Sequence, residues 1–315
     1  MTVESPGLVH DAFVYSSDEE FLAGALPFLE EGIDLREPIL AAPTQINGDL
    51  LRARLGRRAK AVDWAEGHEG HRAVERLALL LQFIDRQQNR GVARIRVFGE
   101  PCWPPAGGPG VAEWKRYESF LNVALADYPV WMVCPYDASR LSQDIVADAH
   151  LTHPAIGYGA GRKTSPGYLE PSEFAKRIDN VPLPRPPEDA SERYFGHAGA
   201  VRRFVSVEAY AAGLSEDRHN DAELVAGEVA ANVFLHAADV ARVRTWTTDD
   251  SFVFDIDDTG DGIRDPFAGY TIAGPLEPGG RGLTIARRLA DVVEIRTTPT
   301  GTLVRLHFRR DEQAV

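Results

Sequence analysis

The sequence has only two cysteines, Cys102 and Cys134, among 315 residues, so no disulfide framework can hold its fold. That count suits a reducing compartment, and the plainest reading of the pair is two ordinary thiols. Cationic charge is also short: 34 Lys and Arg face 47 Asp and Glu, a net charge of -13. A field of that sign repels phosphate backbones and argues against nucleic acid as a general partner. No apolar run reaches the ~18 residues of a membrane-spanning helix. The N-terminal MTVESPGLVHD has neither a basic n-region nor an apolar h-region, so no secretory signal is expected. The expectation is a cytoplasmic protein with no membrane partner. No internal repeat is evident.

What is present is enough apolar sequence, 44%, for packed interiors, and a length that suits two domains better than one core. In the first half, short apolar runs at 8–15, 38–42, 59–64, 93–99 and 130–134 alternate with helical patterns at 19–33, 72–86, 111–126 and 140–150. Such alternation predicts an α/β domain whose parallel sheet is covered on both faces. A Gly-rich stretch at 159–164 and four prolines within 181–190 then mark a linker. We expect domains at 1–160 and 193–315 joined by a linker at 161–192, with room for a short helix at 170–178. The second half orders as helix, helix at 220–236, hairpin, loop, helix at 283–290 and final hairpin, which reads as α+β. In the strand at 252–257, Phe252, Phe254 and Ile256 point to one face and Asp255 and Asp257 to the other.

Three motifs in this second half carry chemistry. Glu228 and Asn232 are four residues apart on a predicted helix, so both leave one face, and His236 continues the line. An Asn carboxamide is a hard oxygen ligand suited to Mg2+, and a Glu one turn away can orient water or accept a proton from an attacking hydroxyl. Read alone, such a pair is most often a solvated helix face. Asp258-Thr259-Gly260-Asp261-Gly262 directly follows a strand; Asp258 offers an acceptor to an exocyclic amine, and the glycines permit close backbone approach. Gly279-Gly280-Arg281-Gly282-Leu283 opens a helix, whose N-terminal N–H groups favour anions. Each motif is weak singly, and their combination is strong.

In order and spacing the three motifs resemble the N, G1 and G2 boxes of the GHKL (Bergerat) ATP-binding fold found in histidine kinases, gyrase and MutL. The finer similarity is to anti-sigma-factor serine kinases of the RsbW/SpoIIAB type. Here EVAANVFLHA follows VRRFVSVEAYAAGL as that family's N-box helix follows a short amphipathic helix, and GRGLTIARRLAD and GTLVRLHF also match. The resemblance implies ATP and Mg2+ as cofactors, with Glu228 as catalytic base and Asn232 holding the metal. It places Asp258 at the adenine amine, Gly260 and Gly262 around the nucleotide, and Gly280, Arg281 and Gly282 at the phosphates. Thr302 adds an adenine-side hydrogen bond, His236 and Leu283 complete the cofactor-binding set, and 265–279 is the ATP lid.

Among GHKL proteins, a sensor histidine kinase would need a phospho-accepting histidine on a helix pair before the ATP domain, and the only nearby candidate is His197. A gyrase-type or chaperone-type ATPase would carry a transducer domain beyond residue 310. The remaining expectation is an anti-sigma regulatory factor that phosphorylates a serine or threonine of a STAS-type anti-anti-sigma protein and sequesters a sigma factor. The alternatives are a histidine kinase-like protein and a non-catalytic ATP-binding scaffold; a homodimer is left open.

In open parallel sheets, ligands sit beyond the carboxyl ends of strands. Those ends here carry 16–19, 43–44, 100–103 and 134–137, a mixture of polar groups, thiols and aromatics suited to a small-molecule pocket. A P-loop would show GxxxxGK[ST] after the first strand, where this chain has YSSDEEF. The stretches HDAFVYSSDEEFLAGALPFLEEGI, RVFGEPCWP, WKRYESFLN, VCPYDASRL and DAHLTHPAI resemble the MEDS (DcmR-type) sensory domain, a RecA/KaiC-like sheet lacking Walker A. The departure is at 66–78, where that family carries a proline-containing segment. The candidate sensory residues are His10, Glu100, Cys134, Tyr136, Asp137 and His153, with Glu118 beside them. Each is also open to a structural reading. Cys134 with Cys102 and a histidine matches no standard zinc spacing.

Overall fold

The computed structural model describes residues 7–65, 72–105, 107–158, 161–236, 239–270 and 281–310, and the chain divides into two compact units, Met1–Phe174 and Ala175–Val315. In the first unit, β1 (Val9–Tyr15), β2 (Ile39–Ala42), β3 (Asp63–Trp64), β4 (Ile95–Gly99), β5 (Val130–Asp137) and β6 (Ala155–Ile156) run parallel. β7 (Lys163–Thr164) closes one edge antiparallel to β6, giving the order β3-β2-β4-β5-β1-β6-β7. Helices α1 (Asp18–Leu35), α2 (Gln45–Leu55), α3 (Ala73–Gln88), α4 (Val111–Ala124) and α5 (Gln143–Thr152) make the connections. β4 and β5 are buried along most of their length, as central parallel strands must be. In register, His10 faces Met132 and Ala12 faces Cys134, so His10 and Cys134 are diagonal neighbours on one face of the sheet.

Three local features differ from the sequence expectation. Helix α2 was not foreseen, because Asn47-Gly48 reads as a turn. Thr44 starts the helix by accepting the Asn47 N–H at 3.4 Å, and Leu51 and Leu55 hold it to the core. The strand expected at 59–64 shrinks to two residues, since Gly56, at φ 56°, ends α2 and leads into a 3-10 turn over Gly56–Ala61. β5 runs past its expected end, through Pro135. Beyond Val133 it pairs with β1 alone and behaves as an edge, where proline is tolerated.

The second unit holds an antiparallel sheet of β8 (Ser191–Phe195), β9 (Ala241–Thr247), β10 (Ser251–Asp257), β11 (Val292–Thr298) and β12 (Gly301–Arg309), in the order β11-β12-β10-β9-β8. Strand β8 was not foreseen; its residues are mostly exposed and carry no clear alternation. Helices α7 (Ala198–Ala211), α8 (Glu216–His236) and α9 (Arg281–Leu289) share one core with the sheet, in which Val205, Val229 and Ala286 join Val243, Phe254, Ile256 and Leu306.

The opposite face of β10 is not open to solvent. Asp255 is fully buried between its cross-strand partners Arg244 and Arg305, with Arg305 binding both carboxylate oxygens at 2.7 and 3.0 Å. The Pro-rich stretch expected to be a linker is strapped over this sheet. Arg305 donates to the Pro184 carbonyl at 2.8 Å and Arg296 to that of Val181 at 2.7 Å. Segment 161–192 thus contains β7, the helix α6 (Pro171–Asp179) and the strap. Proline supplies no N–H, so such a segment docks through its carbonyls.

Candidate functional site

In the second unit the first and third motifs meet, and the second is held by the neighbouring hairpin. Glu228 and Asn232 are half-buried on α8, and Gly282, in the first turn of α9, is pressed against them. A Cβ on Gly282 would lie 2.7 Å from the Asn232 amide nitrogen and 3.0 Å from the Glu228 carbonyl oxygen. The N-box and G2 residues are therefore in contact, and glycine is what permits it. Gly282→Ala is expected to part the two helices and weaken nucleotide binding at least about tenfold while the chain stays folded, read by fluorescent-nucleotide titration beside circular dichroism.

Asp258 leaves the end of β10, 8% exposed, and its Oδ1 accepts the Gly260 N–H at 2.8 Å, which fixes the carboxylate. Burial raises its pKa above the usual aspartate value. Gly262, at φ 77°, abuts the Thr298 carbonyl, where a Cβ would sit 2.2 Å away. The Thr297 hydroxyl accepts the Ile263 N–H at 2.7 Å and meets the Thr302 hydroxyl at 3.3 Å. Asp258, Gly260, Gly262 and Thr302 are thus held as one wall by the β11–β12 hairpin. Asp258, cradled by backbone, and the Asn232 amide beside Gly282 offer the donor types that a nucleotide and its metal take.

Other expected residues stand differently. His236 is exposed at the end of α8, one turn beyond Asn232. Leu283 belongs to the apolar core, so only its backbone is left to the site. Arg281 is exposed, and Gly280 lies outside the described residues. The lid expected at 265–279 does not begin loosely. Phe267 and Tyr270 are buried, Gly269 packs on Leu283, and Arg287 stacks on Tyr270 at 4.0 Å. Residues 271–279 lie outside the described residues.

In the first unit the six sensory candidates separate into three places. Glu100 ties strand ends together, accepting from the Thr44 N–H at 2.7 Å, the Asn47 amide at 2.9 and 3.0 Å and the Tyr15 hydroxyl at 3.4 Å. Asp137 shapes the turn after β5, accepting from the Ser139 N–H and hydroxyl at 2.9 and 2.6 Å. His10, Cys134, Tyr136 and His153 come together with Glu118 in a fully buried group. Burial lowers the His10 imidazole to about 4 and His153 well below its usual value. It lifts Glu118 to about 7, opposed mainly by the charge of Arg76, and raises Cys134 and Tyr136 well above their usual values.

Residues 9–154 match the family model of the methanogen/methylotroph, DcmR sensory domain (MEDS), and residues 194–308 match that of the histidine kinase-like ATPase domain. The chain joins a MEDS domain to a GHKL-type ATPase domain. Solved structures with some likeness include the histidine kinase domain of the blue-light activated histidine kinase of Erythrobacter litoralis EL346 (19% identity, TM-score 0.27). That match covers 37% of this chain and 62% of the other. Another is the structure of the RsbU and RsbW domains of Rv1364c from Mycobacterium tuberculosis (16% identity, TM-score 0.29), covering 44% of this chain and 40% of that one. The chain thus spans less than two thirds of either. No curated protein matches it.

Around Glu100 in the MEDS domain stand Asn47 and Tyr15, which sequence reasoning passed over, and behind His10 stands Asn122. Only Asn122 had a signal, standing one helical turn after Glu118. Of the departure at 66–78, residues 66–71 lie outside the described residues and the rest leads into α3. Among the described residues no helix is long and apolar enough to cross a membrane.

Proposed function

We propose that the GHKL domain is an anti-sigma type protein serine/threonine kinase, acting on a STAS-type anti-anti-sigma protein under control of the MEDS domain. The observation that carries this reading is the seating of Gly282 on Glu228 and Asn232, which sets the phosphate-side helix beside the acid and the amide. In this reading Asn232 and the start of α9 hold Mg-ATP, which supplies the phosphoryl group when bound. Asp258 accepts from the adenine amine, and Thr302 stands on the adenine side. Glu228 takes the proton from the attacking hydroxyl. His197 suits the cap of a helix better than a phospho-acceptor, since its Nδ1 accepts the Ala200 N–H at 3.2 Å and starts α7. The MEDS sheet is read as a RecA/KaiC relative whose β1 turn has exchanged phosphate binding for the Ser17 cap of α1.

The test is incubation with Mg-ATP and STAS-domain proteins from the same genome, followed by acid- and base-stability analysis of the phosphoamino acid. Acid-stable phosphoserine or phosphothreonine on the partner is expected, and phosphohistidine on this chain would overturn the reading. Asp258→Ala is expected to weaken ATP binding by about 10- to 100-fold, the worth of a hydrogen bond to a charged group, by isothermal titration. Because burial raises the Asp258 pKa, binding should also weaken as the buffer is acidified through it, and this dependence should vanish in Asp258→Ala.

A further inference from the structure

The geometry points to a transition-metal site inside the MEDS domain, in which His10 Nε2, His153 Nε2, Cys134 Sγ and a Glu118 carboxylate oxygen bind one divalent ion such as Zn2+. The four donor atoms lie within 4.8 Å of one another, and all four residues are buried. They come from β1, the C-cap of α5, β5 and α4, so no spacing along the chain reveals them.

The hydrogen bonds fix which nitrogens face the centre. The Asn122 amide donates to the Ser119 and Thr152 carbonyls at 3.2 and 2.8 Å, which turns its oxygen toward His10 Nδ1 at 3.1 Å. His153 Nδ1 stands 3.0 Å from the Ala149 carbonyl, which can only accept. Both Nδ1 atoms therefore carry the proton, and both Nε2 atoms present a bare lone pair to the cluster. Metal-binding histidines are held in this way, with the second nitrogen donating to an amide or carbonyl oxygen. His153 Nε2 is buried and makes no hydrogen bond among the described residues, a costly state for a polar network with nothing at its centre.

Distances and charge agree. Tetrahedral zinc with ordinary bond lengths to nitrogen, sulfur and oxygen sets its ligand atoms about 3.3–3.6 Å apart. His10 Nε2 lies 3.4 Å from Cys134 Sγ, and His153 Nε2 lies 3.6 Å from Glu118 Oε2. A thiolate and a carboxylate together balance a divalent cation, so the filled centre is neutral in its buried setting. The Tyr136 hydroxyl, 3.3 Å from Glu118 Oε2, orients the carboxylate. The mix of imidazole, thiolate and carboxylate selects a first-row transition ion over Mg2+ or Ca2+.

The full-length protein, stripped with chelator and reloaded with Co2+ or Zn2+, tests this. Expected are about one equivalent of metal, a thiolate-to-cobalt charge-transfer band that survives Cys102→Ser and disappears in Cys134→Ser, and a thermal midpoint raised by metal. Because Cys134→Ser alters a buried position, X-ray absorption of the unmodified zinc-loaded protein gives a second readout, with one sulfur and three nitrogen or oxygen neighbours expected. Less than a tenth of an equivalent, a charge-transfer band that persists in Cys134→Ser, or a zinc shell without sulfur would each overturn the assignment. Zinc held adventitiously at surface histidines gives that last result.

Discussion

Replacing Glu228 with alanine is expected to lower phosphoryl transfer by about 10²- to 10⁴-fold, the range lost when a positioned general base is removed. Nucleotide binding should change little, because in the proposed mechanism Glu228 acts on the attacking hydroxyl and not on the purine. The Glu228 side chain is half-buried on α8, and its backbone carbonyl supports Gly282, so truncating the carboxylate leaves the α8–α9 contact in place. Single-turnover transfer to a STAS-domain protein, measured beside nucleotide affinity, separates the two effects. Equal loss of transfer and of affinity would assign Glu228 to binding, and unchanged transfer would remove it from the mechanism.

The second large effect concerns stability. Asp255→Ala is expected to destabilise the ATPase domain by about 3–5 kcal/mol, because it leaves the buried guanidinium of Arg305 and the half-buried one of Arg244 without their anion. Arg305 also stacks on Trp246 at 4.9 Å and binds the Pro184 carbonyl, so the loss should free the strap from the sheet. Urea denaturation should register the change as a lower midpoint, and limited proteolysis should find new cleavage near residues 181–187. Asp255→Asn, which keeps the shape and one acceptor oxygen, should cost less. Equal midpoints for the alanine variant and the parent would mean that the buried triad contributes nothing net.

The GHKL boxes were legible because each is local. A carboxylate and an amide four residues apart share a helix face wherever that helix goes, and a DxGxG turn after a strand places its glycines without long-range help. The α8 helix and the β10–β12 strands were likewise announced by apolar periodicity. Where local signals conflicted, the reading failed. Asn47-Gly48 masked α2, and β8 gave too little alternation to be seen. The strand expected at 59–64 lost most of its length because Gly56, at a positive φ of 56°, stops α2 and a 3-10 turn follows.

By itself, then, the sequence determined two domains' worth of elements, the three nucleotide motifs in their order, and a sensory half without a phosphate loop. It could not determine which side chains meet when they are far apart along the chain. His10 and Cys134 are 124 positions apart, and they meet only because β1 pairs with β5 in one register; a slip of one residue would send one of them to the other face. The strap over Asp255 has the same character. Four prolines read as a linker until Arg296 and Arg305, more than a hundred positions away, hold its carbonyls to the sheet. Periodicity and capping are properties of neighbours in sequence. Register, burial and the convergence of donors belong to the packed chain, and only the tertiary structure decided them.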